Sequence, residues 1–236
     1  MKNESNLREQ VSRHVRAEIV AGYAQPGAMY SVPSLAENFG ISTTPVREAL
    51  LELAREGFLE PHRNRGFRVT MPSVAETRNL FEMREVLEVH AARMVAAMPR
   101  RDLSALLPLA DDVTAAARNH SYRAFLATDR EFHRALLDMA GNPILTQTVM
   151  TLRGRIRYFG DASAEGVERQ RASAREHYQI IDLVTAGDLD GISDLMRDHV
   201  RAWEPLFMKA VAQFEQPRSL QPAPAATSAT AASDAS

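Results

Sequence analysis

Residues 31–70 read SVPSLAENFGISTTPVREALLELAREGFLEPHRNRGFRVT. The spacing predicts a short helix from Ser34 to Phe39, ended by Gly40, whose freedom at positive φ lets the chain turn sharply. A second helix begins in Ser42-Thr43-Thr44-Pro45. Ser42 or Thr44 can cap it, and Pro45 falls in the first turn, where its missing N–H costs little. Val46, Leu50 and Leu53 recur at helical spacing and belong to a small core. Phe58-Leu59-Glu60 and Phe67-Arg68-Val69-Thr70 then form a two-stranded ribbon. Its tip, Pro61 to Gly66, carries arginines and no acid. Helix, tight turn, helix and basic hairpin outline a winged helix-turn-helix, which points to duplex DNA as the partner.

With Val46, Leu50 and Leu53 turned inward, Thr43, Thr44, Arg47 and Glu48 face elsewhere, at the helix end that such modules insert into the major groove. Arg47 has the planar fork that matches guanine O6 and N7, worth roughly 1–3 kcal/mol of base discrimination when bidentate. Arg63, Arg65 and Arg68 on the wing suit phosphate or the minor groove, adding affinity and salt dependence more than sequence choice. Gly66 would let the backbone approach DNA closely. The competing reading is a solvated arginine beside an ordinary turn; the ordered set of turn, cap, arginine and basic wing argues against it.

The chain has 236 residues, 45% of them hydrophobic, enough for a sizeable core. Net charge is −2, so affinity for nucleic acid must come from a local patch and from doubling by dimerisation. Cysteine is absent, which excludes disulfides and thiolate metal sites. No apolar run approaches membrane-spanning length and the N-terminus is polar, so no membrane partner and a cytoplasmic location are expected.

A first helix is predicted over 7–22, with Val11, Val15, Ile19 and Val20 as its apolar stripe. Met71-Pro72-Ser73 reads as a linker. Beyond it six helical segments are predicted: 74–98, 102–118, 121–139, 143–160, 165–186 and 188–213. Asp102, Ser121 and Asn142 are cap residues, Pro143 suits a start, and Gly141, Gly160 and Gly187 suit ends. The fold class is therefore mainly α: an N-terminal winged helix-turn-helix at 1–72 and a C-terminal all-α six-helix bundle at 73–214 for effector binding and dimerisation. The segment 215–236 is rich in Pro, Ala, Ser and Thr and reads as a disordered tail.

Four polar residues of the bundle stand where apolar ones belong. Leu126, Asp129, His133 and Leu137 share one helical face, with Asp129 and His133 four apart. His177 lines up with Ile180, Ile181 and Val184, and His199 with Ile192, Leu195, Met196 and Trp203. Buried polar groups need partners, and one divalent cation satisfies all four at once. An Asp with three His suits zinc, nickel or manganese, with iron and cobalt also admitted, and leaves positions for a small carboxylate. Hydrogen-bonded core histidines without metal are the alternative. His90, between Leu87 and Met94, lacks a same-face acid and reads as core or pocket wall; His14, His62 and His120 read as surface or loop. One of Arg153, Arg155 and Arg157 could face inward and clamp an anion, as could Arg84; we assign the effector clamp to Arg84 and Arg155.

Thr44-Pro45-Val46-Arg47-Glu48-Ala49-Leu50 followed by Arg65-Gly66-Phe67-Arg68-Val69 resembles the signature of GntR-family transcriptional regulators. Asp129-x-x-x-His133, then His177 and His199, resembles the FCD ligand-binding domain of the FadR-like subfamily. The match spans roughly residues 7–213, and six helices rather than seven point to the VanR-type branch. The resemblance implies a ligand-responsive regulator, most often a repressor, acting as a homodimer on a palindromic operator and sensing a small organic acid. It also implies metal ligands at Asp129, His133, His177 and His199. Family members often carry arginine where this chain has Pro33 and Thr43, so its operator should differ or lean more on Arg47 and the wing. No catalysis is expected; a metalloenzyme with an accessory DNA module is the alternative, weakened by the lack of a general base beside the ligands. A bundle that only dimerises, with a structural metal or none, is the third possibility.

Overall fold

A computed structural model describes residues 4–99, 102–156 and 163–215. Helix α1 spans Glu4–Val20, and Val11, Val15 and Ile19 place its stripe in the N-terminal core. Helix α2, Val32–Phe39, starts two residues before the expected Ser34, because Ser31 is its cap: the hydroxyl accepts from the Ser34 N–H. Gly40 ends it at φ 63°, in the left-handed region. Helix α3, Thr43–Arg55, follows. Ser42 holds the N-cap position without a side-chain hydrogen bond, so the expected cap is positional only.

The wing pairs β2, Leu59–His62, with β3, Gly66–Val69, in antiparallel register that sets Glu60 opposite Arg68. A third strand, β1 at Met29–Tyr30, joins the other edge of β3, giving the order β1-β3-β2. A two-residue strand leaves too short an alternation for sequence periodicity to register.

The rest is helical: α4 Val74–Ala96, α5 Leu106–Arg118, α6 Tyr122–Met139, α7 Pro143–Arg155, α8 Ala164–Ala186, α9 Leu189–Arg201 and α10 Glu204–Glu215. Ser73, Ser121, Asn142, Ser163 and Asp188 cap α4, α6, α7, α8 and α9 with their side chains. Two boundaries correct the sequence reading, both through proline. α5 begins at Leu106 instead of 102, since Pro108 cannot share a helix with the carbonyl four residues before it; Asp102 instead accepts from the Ser104 N–H in a turn. The segment expected at 188–213 divides at Ala202-Trp203, ahead of Pro205. Seven helices thus follow the linker among the described residues, and the helix count no longer argues for a VanR-type branch. The end of the helix expected at 143–160, with Arg157 and Gly160, lies outside the described residues, as does the tail beyond Glu215.

Two hydrophobic cores result. One joins α1–α3 to the sheet, centred on Leu50, Leu53 and Phe58; the other fills the bundle, centred on Phe81, Phe125, Phe132 and Ile180. They meet along a seam. Gly154 of α7 lets Phe58 and Val20 close in: a Cβ there would stand 3.1 Å from the Phe58 ring and 3.4 Å from Val20. Beside it Arg155 packs over Gly57 and pairs with Glu76. At the other end of the seam Arg123 donates to the Ala21 carbonyl at 3.1 Å and lies over the Tyr23 ring, 3.8 Å from its centre.

Candidate metal centre and DNA-reading face

The recognition helix presents the expected surface. Val46, Ala49, Leu50 and Leu53 are buried, and Thr43, Thr44, Arg47 and Glu48 are exposed on the opposite side. Arg47 makes no hydrogen bond or ion pair with the described residues, so its guanidinium is free to take an outside partner. Arg63 and Arg65 are exposed at the wing tip, where Asn64 takes φ 59°. Two wing residues are differently employed. Arg68 is tied across the ribbon to Glu60, whose carboxyl is held below its ordinary value by Arg68 first and His62 second. Gly66, at φ 108°, is where β1 crosses: a Cβ would collide with the Tyr30 carbonyl. Its lack of a side chain is what lets β1 lie against β3.

In the bundle, three helices bring the four polar residues together. α6 supplies Asp129 and His133 one turn apart, α8 supplies His177 and α9 supplies His199. All four are buried, and one ligand atom from each lies within 4.8 Å of every other. The Nε2 atoms converge: His133 to His199 is 3.1 Å and His133 to His177 is 3.3 Å. Asp129 Oδ1 stands 3.4 Å from His177 Nε2 and 3.7 Å from His133 Nε2. Donors bound at ~2.1 Å around a tetrahedral ion sit ~3.4 Å apart, so these separations suit a shared cation.

Tautomer chemistry gives the same answer. Nδ1 of His199 lies 2.6 Å from Glu176 Oε2, and a carboxylate only accepts, so the proton belongs on Nδ1. In the neutral ring Nε2 then carries a lone pair. Burial first, and the nearby Arg153 cation second, holds His133 well below the usual imidazole range. Burial also pushes His177 down, against the pull of Asp129. In that tautomer His199 turns an Nε2 lone pair toward the other donors, and neutral His133 and His177 rings can do the same when a cation takes the place of the hydrogen bonds between them. The donor set fits a divalent metal. Phe132 stacks on His177 at 4.2 Å and fixes that ring, whose Nδ1 has no partner among the described residues.

Behind the ligands is a charged network that sequence reading did not assemble. Burial opposes a charge on Asp129, but Arg153 and the histidines overcome it and hold the carboxyl well below the carboxylate range. Arg153 donates to Asp129 Oδ2 at 2.5 Å and to Glu88 Oε2 at 2.7 Å. Glu88, fully buried on α4, also accepts from Arg84 at 2.7 Å and faces His133 Nδ1 at 3.6 Å. Glu176 takes Arg169 as well as His199 and is pushed down to about 2, those partners outweighing its partial burial. The inward arginine of α7 is thus Arg153, and the assignment to Arg155 is corrected. Two positions along a helix turns the side chain by ~200°, which sends Arg155 to the seam. Arg84 does reach the centre, through Glu88. His90 is exposed, neither core nor wall. The spacing of Arg84 and Glu88, one turn apart, was the available signal for Glu88; Arg169, two turns before Glu176 on α8, marks an ion pair there, but nothing local marks its contact with His199, which comes from α9.

A cavity of about 440 Å³ opens beside the tetrad. Asp129, Arg84 and Arg153 border it at the metal end, and Phe125, Trp203 and Phe207 give it apolar walls. Val20, Ala21 and Gln25, from the end of α1 and the turn after it, also line it.

A winged helix-turn-helix joined to a helical bundle with a buried polar centre and a ligand-sized cavity defines a DNA-binding protein with a sensor. The model of the FCD domain matches residues 79–202 and that of bacterial regulatory proteins of the gntR family matches residues 7–69, so the chain belongs to the GntR family of regulators carrying an FCD domain. It is a ligand-responsive, DNA-binding transcriptional regulator. An uncharacterized HTH-type transcriptional regulator in an unstable DNA locus of Streptomyces ambofaciens is 28% identical over 205 residues, 85% of this chain and 84% of that one. The HTH-type transcriptional repressor RspR of Escherichia coli strain K12 is 27% identical over 199 residues, 83% of this chain and 86% of that one. Among solved structures, E. coli McbR/YncC superposes with a TM-score of 0.76 at 22% identity, over 89% of this chain and 99% of that one, a likeness of fold. No helix among the described residues is long and apolar enough to cross a membrane.

Proposed function

We propose that the chain is a cytoplasmic, homodimeric repressor that senses a small organic acid through a divalent cation held by Asp129, His133, His177 and His199. The observation that carries this reading is the convergence of four buried donors at the end of a cavity that also touches the DNA-binding module. Zinc, nickel or manganese suits the donor set, and a cation of that kind would offer open positions to a carboxylate. Residues 1–72 serve as the reading module and 73–214 as the sensor and dimerisation module. Paired about a two-fold axis, two recognition helices would address half-sites about one turn apart in a palindromic operator. Because Val20 and Gln25 share the cavity wall, an occupant has different contacts in different placements of the reading module, and that difference is the coupling free energy. The centre serves binding rather than turnover: Glu88 and Glu176, the acids nearest the ligands, are both committed to arginines.

Elemental analysis of the purified protein tests the centre, with His133→Ala and His177→Ala as controls. One equivalent of metal in the wild type and none in the variants is expected; stoichiometric metal in both variants would defeat the assignment. A thermal-shift screen of small organic acids, with and without chelator, then tests sensing: stabilisation by an acid should vanish with the metal. Sustained product formation from such acids by the loaded protein would favour an enzyme instead.

A further inference from the structure

The cavity beside the tetrad has more positive charge on its wall than one carboxylate matches. Arg84, Arg123, Arg130 and Arg153 border it, against the single acid Asp129. Three of these arginines are committed. Arg84 and Arg153 share the buried Glu88, and Arg153 also holds Asp129. Arg123 donates to the Ala21 carbonyl and lies over Tyr23.

Arg130 differs. It donates to the Met150 carbonyl at 3.3 Å, and among the described residues no carboxylate forms an ion pair with it. It is partly buried, where a cation without a counter-ion costs more than it does in water. A larger cleft, of about 830 Å³, separates α1 from α6 and α7, and Arg130 borders both this cleft and the cavity. Val20 and Ala21 of the reading module do the same. Arg130 therefore stands on the side of the cavity that faces the end of α1.

We propose that Arg130 receives a second anionic group of the effector, so that the ligand is a compact dianion with an apolar body. This rests on the carboxylate-sensing reading above. One charged end lies toward Asp129 and Arg153, the other on the guanidinium of Arg130, whose planar fork accepts a carboxylate in two parallel hydrogen bonds. Phe125, Trp203 and Phe207 take the body between them. An occupant so held touches α6 and the end of α1 together, and so bears directly on where the reading module sits.

Calorimetric titration of the metal-loaded full chain tests this with two pairs of probes: isophthalate against benzoate, and glutarate against butyrate. In each pair the dianion should bind at least about tenfold more tightly, the scale of one added charge-assisted contact. Arg130→Gln should abolish that preference while leaving benzoate affinity and bound metal unchanged, and Arg130→Lys should keep part of it. Equal binding of the two members of each pair by the wild type, with metal bound, overturns this inference alone. So does an undiminished preference in Arg130→Gln. Failure of every probe to bind the metal-loaded protein overturns the carboxylate reading, and this inference with it.

Discussion

At the scale of single residues, Arg47 and Glu176 illustrate two kinds of dependence. Arg47 owes nothing to the fold beyond its place at the exposed start of α3. Its replacement by alanine is expected to leave the circular dichroism spectrum unchanged and to weaken operator binding by roughly 1–3 kcal/mol per half-site. A gel-shift titration with unchanged affinity would remove it from the reading set. Glu176 touches no predicted metal position itself; it orients His199 by accepting from Nδ1 at 2.6 Å. Loss of such a partner costs metal affinity about 10–100-fold, so Glu176→Gln should release metal to a competing chelator at correspondingly lower concentration. Identical release curves for variant and wild type would show that His199 needs no such partner.

At the scale of elements, the glycines and prolines decide the joints. Pro108 delays α5 and Pro205 separates α9 from α10, each through the carbonyl it would strike. Gly66 permits β1 to lie against β3. Its replacement by alanine would force a side chain into the left-handed region and into the Tyr30 carbonyl at once, at a cost of roughly 1–3 kcal/mol. The midpoint of chemical denaturation should fall accordingly, with metal content unaffected because the bundle core is separate. A variant as stable as the wild type would mean that the β1 edge is dispensable.

At the scale of the whole molecule, the centre links folding to pH and to metal. Burial holds His133 and His177 below the imidazole range, so the unfolded chain takes up protons at a pH where the folded chain does not. Stability of the metal-free protein is therefore full above the unfolded value of about 6.5 and declines as pH falls below it. Denaturation midpoints of the chelator-treated protein at pH 8 and pH 5.5 should differ in that sense; equal midpoints would show the rings to be ordinary. Saturating metal should raise the melting temperature, since an ion at a hundred times its dissociation constant adds about 2.7 kcal/mol to the folded state. Chelation without a change in melting temperature would place the ion outside the folded core.

The amino-acid sequence by itself determined what local patterning controls. The Gly40 turn, the Thr43–Leu50 start of the recognition helix, the caps at Ser121 and Asn142 and the Asp129–His133 pair each follow from residues within a turn or two of one another. The placement of His177 and His199 on apolar stripes announced that they face inward, and with Asp129 and His133 they meet. Only the tertiary structure decided what depends on contacts between distant elements. It chose Arg153 over Arg155 for the centre, because that choice is set by the rotation of α7 against α4 and α6. It gave Gly66 to the sheet and Arg68 to Glu60, and it brought Glu88 and Glu176 beside the histidines. It also laid the end of α1 along the cavity. Periodicity fixes which side of a helix turns inward; which partner waits there is fixed by packing of surfaces far apart in the chain, and no short-range pattern encodes that.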